Sequence, residues 1–216
     1  IVDAEGNSST AIDTLGLTAD ADYTFFLAGY DQDQNFIRNI NAQWSIQGNI
    51  GSLSTGDSYA SSTKFTASTV GSGAIKADTA SFSDITGAIT ITNGELAKLI
   101  IRDGTNGGGV EVADISLTTD ENILLYAAGY DADDNYISDV AASWSSTGNL
   151  DQVNAEASSY TFEPTTAPSS GTIVVQKSGI ASDATGAISV NVGALSTISI
   201  VDAEGNSSTA IDTLGL

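Results

Sequence analysis

Residues 1–17 and 200–216 carry one and the same string, IVDAEGNSSTAIDTLGL, at an offset of 199. Packing does not demand such identity, because a buried apolar face accepts swaps of similar volume and a loop accepts more. The repetition marks a duplication, and the chain reads as a little more than one period of a repeating protein, with Ile200 opening the next copy. A weaker repeat lies inside that period. Leu17–Ile50 matches Leu117–Leu150 at an offset of 100, placing Gly29-Tyr30-Asp31 on Gly129-Tyr130-Asp131 and Trp44 on Trp144. SDITGAITI at Ser83–Ile91 matches SDATGAISV at Ser182–Val190, and LAKLIIRD from Leu96 matches LSTISIVD from Leu195, both at an offset of 99.

The hydrophobic period within each half is two. Ile40, Ala42, Trp44 and Ile46 alternate with Asn39, Asn41, Gln43 and Ser45, and Val140, Ala142 and Trp144 repeat the pattern. That is a half-buried strand with its Trp on the core side. Tyr23–Tyr30 and Ile123–Tyr130 are apolar runs that predict a central strand. Short strands are predicted at Lys64–Ala67, Ala74–Ala77 and Ala88–Ile91, and at Tyr160–Phe162, Thr172–Val175 and Ala187–Val190. Turn signals at Gly48-Asn49, Gly71-Ser72-Gly73, Asn93-Gly94 and Gly148-Asn149 separate them. About seven short strands per half predict an antiparallel β-sandwich. The expected organisation is one sandwich over residues 1–94, a second over 95–193, and the first strand and linker of a further repeat over 194–216.

Charge narrows the partners. Six basic residues face 27 acidic ones, a formal net charge of −21. Such a surface repels nucleic acid and anionic lipid and favours an extended particle or one neutralised by cations. Cys and His are both absent, which removes disulfides, thiolate sites and the commonest general base. Hard, oxygen-liganded cations such as Ca2+ fit what remains. No stretch is long and apolar enough for a membrane-spanning helix, so no membrane insertion is expected. Ser and Thr lack a His to activate them and no GxSxG elbow occurs, so the chain is not expected to be an enzyme.

The order of an Ile-rich strand, a long linker, an apolar strand ending in YDxDxN, a strand with a central Trp and a closing TGAITI-type strand resembles the bacterial immunoglobulin-like domains of invasin- and intimin-type adhesins. The resemblance covers essentially the whole chain. It implies an all-β fold of two tandem immunoglobulin-like antiparallel β-sandwiches plus the first strand of a third, set in a long surface adhesin or extracellular filament. The family's turn between the second and third strands often reads DxxGN; here Gln34 and Asp134 stand where its Gly would be.

Two sets of oxygen-bearing residues are candidates for Ca2+. The turns supply Asp31, Asp33 and Asn35, and Asp131, Asp133, Asp134 and Asn135. Alternate oxygens in a loop can converge on one ion, which takes 6–8 of them. The same residues equally suit a hairpin whose side chains cap their own backbone. The junctions supply Asp3 and Glu5, Asp103, and Asp202 and Glu204, where an ion would fix the angle between modules. Trp44 and Trp144 read as core. Among the lysines, Lys64, Lys76, Lys98 and Lys177, an isopeptide crosslink is a minor alternative, with Lys76 expected to point outward.

The function that follows is a structural repeat of an extracellular, cell-surface fibre or stalk. Each module would be about 35–45 Å long, and the partners would be neighbouring copies of the same repeat, in one chain or a polymer. Leu195–Leu216, with Ile198, Ile200, Ile211, Leu214 and Leu216 on one face, is a candidate for strand donation to a neighbour. The alternative is an adhesin module that binds a sugar or host protein through its end loops at Thr55–Thr63 and Asn154–Ser159, with Tyr59 the best exposed aromatic.

Overall fold

A computed structural model describes residues 1–7, 9–56, 58–201 and 204. Among them, alternating and apolar runs form 22 strands and no helix. In the first half these are Thr14–Thr18 (β1), Asp22–Phe26 (β2), Ala28–Tyr30 (β3), Phe36–Asn39 (β4), Ala42–Gln47 (β5), Gly51–Leu53 (β6), Tyr59–Ala60 (β7), Ser62–Ala67 (β8), Gly71–Asp78 (β9), Ser83–Ile85 (β10) and Ala88–Thr92 (β11). In the second half they are Lys98–Arg102 (β12), Ile115–Thr118 (β13), Ile123–Tyr130 (β14), Tyr136–Asp139 (β15), Ala142–Ser146 (β16), Asn154–Ala157 (β17), Ser159–Phe162 (β18), Ser169–Gly171 (β19), Ile173–Lys177 (β20), Ile180–Ala184 (β21) and Ile188–Asn191 (β22).

Two cores form, and they share no residue. One gathers Phe25, Trp44, Phe65, Ile75, Ile89 and Ile91; the other gathers Leu99, Ile101, Leu125, Trp144, Ile173 and Ile188. Both Trp side chains are core, as expected, and each indole N–H donates to a neighbouring strand carbonyl, Ala60 at 2.9 Å and Ala157 at 2.8 Å. The chain is all-β, two tandem immunoglobulin-like sandwiches. Pairing is mostly antiparallel, but among the described residues β1 with β11, β13 with β22, and β12 with β21 run parallel.

The shared TGA sequence has a steric cause. Gly87 donates its N–H to Ile12 O and Gly186 donates to Val112 O, at 3.0 and 2.9 Å. A Cβ on Gly87 would fall 1.4 Å from Asp13 O, and one on Gly186 would fall 2.3 Å from Ala113 C. Only Gly lets the backbones approach this closely. The preceding Thr86 and Thr185 are buried, and their hydroxyls accept the N–H of Ile75 and Ile173, both at 3.0 Å.

The modules differ at one edge. In the second, β12 lies between β14 and β21 and joins them into one sheet, β15-β14-β12-β21-β20-β16-β17. In the first, no strand among the described residues occupies that place. The run predicted as a single strand over Tyr23–Tyr30 is broken at Leu27, although β2 pairs with β8 and β3 with β4 just as β14 pairs with β18 and β15. Its counterpart Ile123–Tyr130 is one continuous strand, as expected. Among the described residues, Ile1 and Val2 hold the corresponding edge of the first module, Ile1 in the core and Val2 in a bridge with Phe26.

Replacing Thr185 with Val keeps the shape but strands the buried Ile173 N–H. Urea titration should show a loss of about 1–3 kcal/mol for Thr185→Val and a smaller one for Thr185→Ser.

Candidate functional site

The D-x-D-x-N turns are built alike. A backbone register shift falls between Gly29 and Tyr30, and between Gly129 and Tyr130, just before each turn. The turn is then closed by an N–H···O bond from Asp31 to Asn35 and from Asp131 to Asn135, at 3.0 and 3.1 Å. Gln34 and Asp134 take φ of +65° and +70°. The tight turn is therefore kept although Gly is missing, and each of these residues sits in the left-handed region that Gly would occupy more easily.

The first carboxylate of each turn serves the backbone. Asp31 Oδ1 accepts from the N–H of Asp33 and of Asn35, at 3.0 and 2.8 Å, and Oδ2 accepts from the Asn35 amide at 3.0 Å. The Asn35 side chain, then its backbone N–H, hold the Asp31 carboxyl below the usual range. This is the self-capping arrangement of an Asx turn.

The two turns differ in what they face. Asp31, Asp33 and Asn35 are exposed, whereas Asp131 is fully buried, because the second turn meets the far end of the first module. Gly94 N–H donates to Asp131 Oδ2 at 2.9 Å. The Asn135 amide nitrogen donates to Ser68 O at 2.9 Å, and Asn135 Oδ1 accepts from Val70 N–H at 3.2 Å. The Asn93 amide donates to Tyr136 O at 2.8 Å. Asn135 also donates to Asp131, whose Oδ1 takes the N–H groups of Asp133 and Asn135. Backbone and side-chain nitrogens of Gly94, Asp133 and Asn135 thus surround a buried carboxylate. Burial alone would raise the Asp131 carboxyl, but the Gly94 N–H, the Asn135 side chain and the turn N–H groups outweigh it and hold it low.

Two more carboxylates meet at this seam. Asp133 faces Asp20, itself at φ +76° on the first module. Burial, the Asp20 carboxyl and the charges of Asp131 and Asp134 push the Asp133 carboxyl up. Asp134 is ion-paired with Lys98.

The junction candidates are placed otherwise. Asp3 Oδ1 accepts Thr10 N–H and Asp103 Oδ1 accepts Val110 N–H, both at 2.7 Å, so each closes its own loop instead of reaching another module. Glu5 and Glu204 are exposed, and Asp202 lies outside the described residues. Among the described residues, no three acidic side chains gather in a way that could hold a metal ion. Lys76 pairs with Asp78 and Lys64 with Asp22. Sequence reading missed Asp20, Ser68 and Val70. Asn93-Gly94 carried a turn signal, but nothing near it in sequence announces a partner 37 residues away.

At the opposite end of the second module, Asp151 Oδ2 accepts from the N–H and hydroxyl of Thr165 and the N–H of Thr166. The Thr166 and Thr165 bonds hold its carboxyl at about 2.

No family model matches the chain, and no curated protein does. Solved chains similar to it include the four N-terminal immunoglobulin domains of Dscam1 isoform 7.44 (8% identity, 89% of this chain and 46% of that one, TM-score 0.33). A 282-residue C-terminal intimin fragment in complex with the intimin-binding domain of its translocated receptor is also similar (17%, 83% and 62%, TM-score 0.30). Domains 5-6 of the S-layer protein SbsC form a third (13%, 90% and 99%, TM-score 0.30). The chain spans about half of the Dscam1 chain and under two thirds of the intimin fragment. With scores near 0.3, the immunoglobulin-like assignment rests on this chain's own sheets.

Asn135→Ala should cost about 1–2 kcal/mol more than Asn35→Ala, because it also leaves Ser68 C=O and Val70 N–H without partners. Equal losses in urea titrations would show that the seam bonds do not form. Asp151 has a depressed folded pKa, so its stabilisation is complete above about pH 4 and is lost as pH falls toward 2. After discounting for solvent screening, Asp151→Asn should cost about 1 kcal/mol at pH 7, and the gap from the parent should close near pH 2 in thermal melts.

Proposed function

We propose that this chain is a non-enzymatic structural unit of an extracellular, cell-surface fibre or stalk, in which modules join end to end and the seam sets the angle between them. The observation that carries this reading is the buried Asp131 with Gly94, Ser68, Val70 and Asn135 around it. A surface-exposed turn used only as a hairpin has no need of such partners. The same turn in the first module is preformed, exposed and equipped to dock in the same way. The net charge of −21 keeps such a fibre soluble and unattractive to nucleic acid. Neighbouring copies of the repeat are its partners, through these ends and through strand donation.

Calcium acts in this reading as a reinforcement of the seam. The oxygens of Asp131 already accept N–H donors, so Asp133 and Asp20 are the carboxylates with charge to spare. A divalent cation between them would replace repulsion by shared ligation. The equivalent turn residues Asp31, Asp33 and Asn35 would meet an ion only where another module docks.

Small-angle X-ray scattering tests both levels. The chain should scatter as one extended two-module particle, and a profile of freely jointed modules would overturn the structural reading. Calcium should raise the melting midpoint by several degrees, since a ligand at 100 times its Kd adds about 2.7 kcal/mol. In Asp133→Asn that response should vanish, while the midpoint in chelator rises through loss of the Asp20 repulsion. Equal midpoints in millimolar calcium and in chelator would remove calcium from the account.

A further inference from the structure

The two sandwiches carry nearly the same turn but not the same receiving end. Strand registers show which residues correspond. Thr18 lies opposite Thr92, and Thr118 opposite Asn191. Asn93 and Gly94 at the far end of the first module therefore match Val192 and Gly193 at that of the second, and Ala19 and Asp20 match Thr119 and Asp120. Ile91 lies opposite Gly71 and Val190 opposite Ser169, so Val70 matches Pro168.

The groups that hold the Asp131–Asn135 turn change at these matching places. Val70 N–H donates to Asn135 Oδ1, but Pro168 has no N–H to donate. The Asn93 amide donates to Tyr136 O, but Val192 has no amide. Gly94 N–H donates to Asp131, whereas Gly193 N–H donates to the Thr119 hydroxyl at 3.0 Å, a group that Ala19 lacks. Asp20 faces Asp133 across the seam, whereas Asp120 Oδ2 accepts Ala194 N–H of its own module at 2.6 Å.

The segment that offers Ser68 O and Val70 N–H also differs. Tyr23 lies opposite Phe65 and Ile123 opposite Phe162. Residues 66–70 link Phe65 to Gly71, and residues 163–168, one more, link Phe162 to Ser169. In the longer link Thr165 and Thr166 donate their N–H groups to Asp151. The match of Asp151 is Gly51, where a Cβ would fall 2.1 Å from Thr66 O, so the first module has no room for such a side chain.

We propose that the far end of the first module is a receptor specific for the second module's turn, and that the far end of the second module does not hold a D-x-D-x-N turn in this way. Pressed against that end, the first carboxylate and the Asn of such a turn would lose water and gain no donor from Pro168, Val192 or Gly193. The first module's turn keeps the form needed for docking, but it needs a first-module end to receive it. Partners are thus selected by missing donors. The hydrogen-bonded seam forms only where a second module follows a first. This pins the order of the modules and makes the pair, with its offset of 199, the unit that repeats. Where a first module follows a second, the joint lacks these bonds and bends more easily.

The inference rests on the reading of the chain as modules stacked end to end. The full chain tests it by carrying the second module's end chemistry on the first. Val70→Pro with Asn93→Val removes two seam donors, as Pro168 and Val192 do. Followed by NMR, Gly94 amide exchange should quicken at least about tenfold in this double variant and about threefold in Asn93→Val alone, with the core amides of both sandwiches still protected. Small-angle scattering of the double variant should change from one extended particle to a jointed pair. Val192→Asn should alter neither reading. A double variant that keeps the parent's Gly94 protection and scattering would show that an end of the second module's kind holds the turn, and would overturn the inference. If Val70→Pro exposes core amides, Asn93→Val decides alone, and Gly94 exchange equal to the parent's overturns it. A parent chain that already scatters as freely jointed modules overturns the stacked reading and this inference with it.

Discussion

The Asp131 carboxylate is fully buried in a chain with a net charge of −21. A buried charge is tolerable only when donors surround it. The donors come from two modules. Asp133 and Asn135 belong to the turn itself, and Gly94 belongs to the end of the preceding sandwich. Removing the first module would leave the turn folded but one carboxylate oxygen without its Gly94 partner. The seam is thus specified by hydrogen bonding to a charge, whereas each module is specified by its own core. Division of labour of this kind suits repeats: cores can drift while the end chemistry stays compatible.

A second constraint is the first strand of each sandwich. In the second module β12 joins β14 to β21 and buries Leu99 and Ile101. In the first, among the described residues, the edge is held by Ile1, which is core, and by Val2, which bridges Phe26, and the central strand breaks at Leu27. Ile1, the counterpart of Ile101, is core in the first module as Ile101 is in the second.

Much of this was legible from residues. Period-two alternation around Trp44 and Trp144 located the core strands, whereas the TGA match showed only a repeat and the close backbone approach at Gly87 and Gly186 came from the structure. The parallel pairing of β1 with β11 was not legible, because alternation reports which face is buried and not the direction of a neighbour. The resemblance marked Gln34 and Asp134 as positions where Gly would stand, but not that non-Gly residues would hold the same left-handed turn there. The seam was half visible. The turn stood out by its carboxylates, but its composition is nearly the same in both modules, and only tertiary placement makes Asp131 buried and Asp31 exposed. The partners Ser68 and Val70 contribute backbone atoms, which any residue supplies.

The seam turns on the bond from the Gly94 N–H to the buried Asp131 carboxylate. Amide hydrogen exchange of Gly94, followed by NMR in the intact chain, reads that bond directly. The expected result is exchange slowed at least about a hundredfold relative to an unstructured peptide. Exchange at the unprotected rate, with the core amides of both sandwiches still protected, would contradict it.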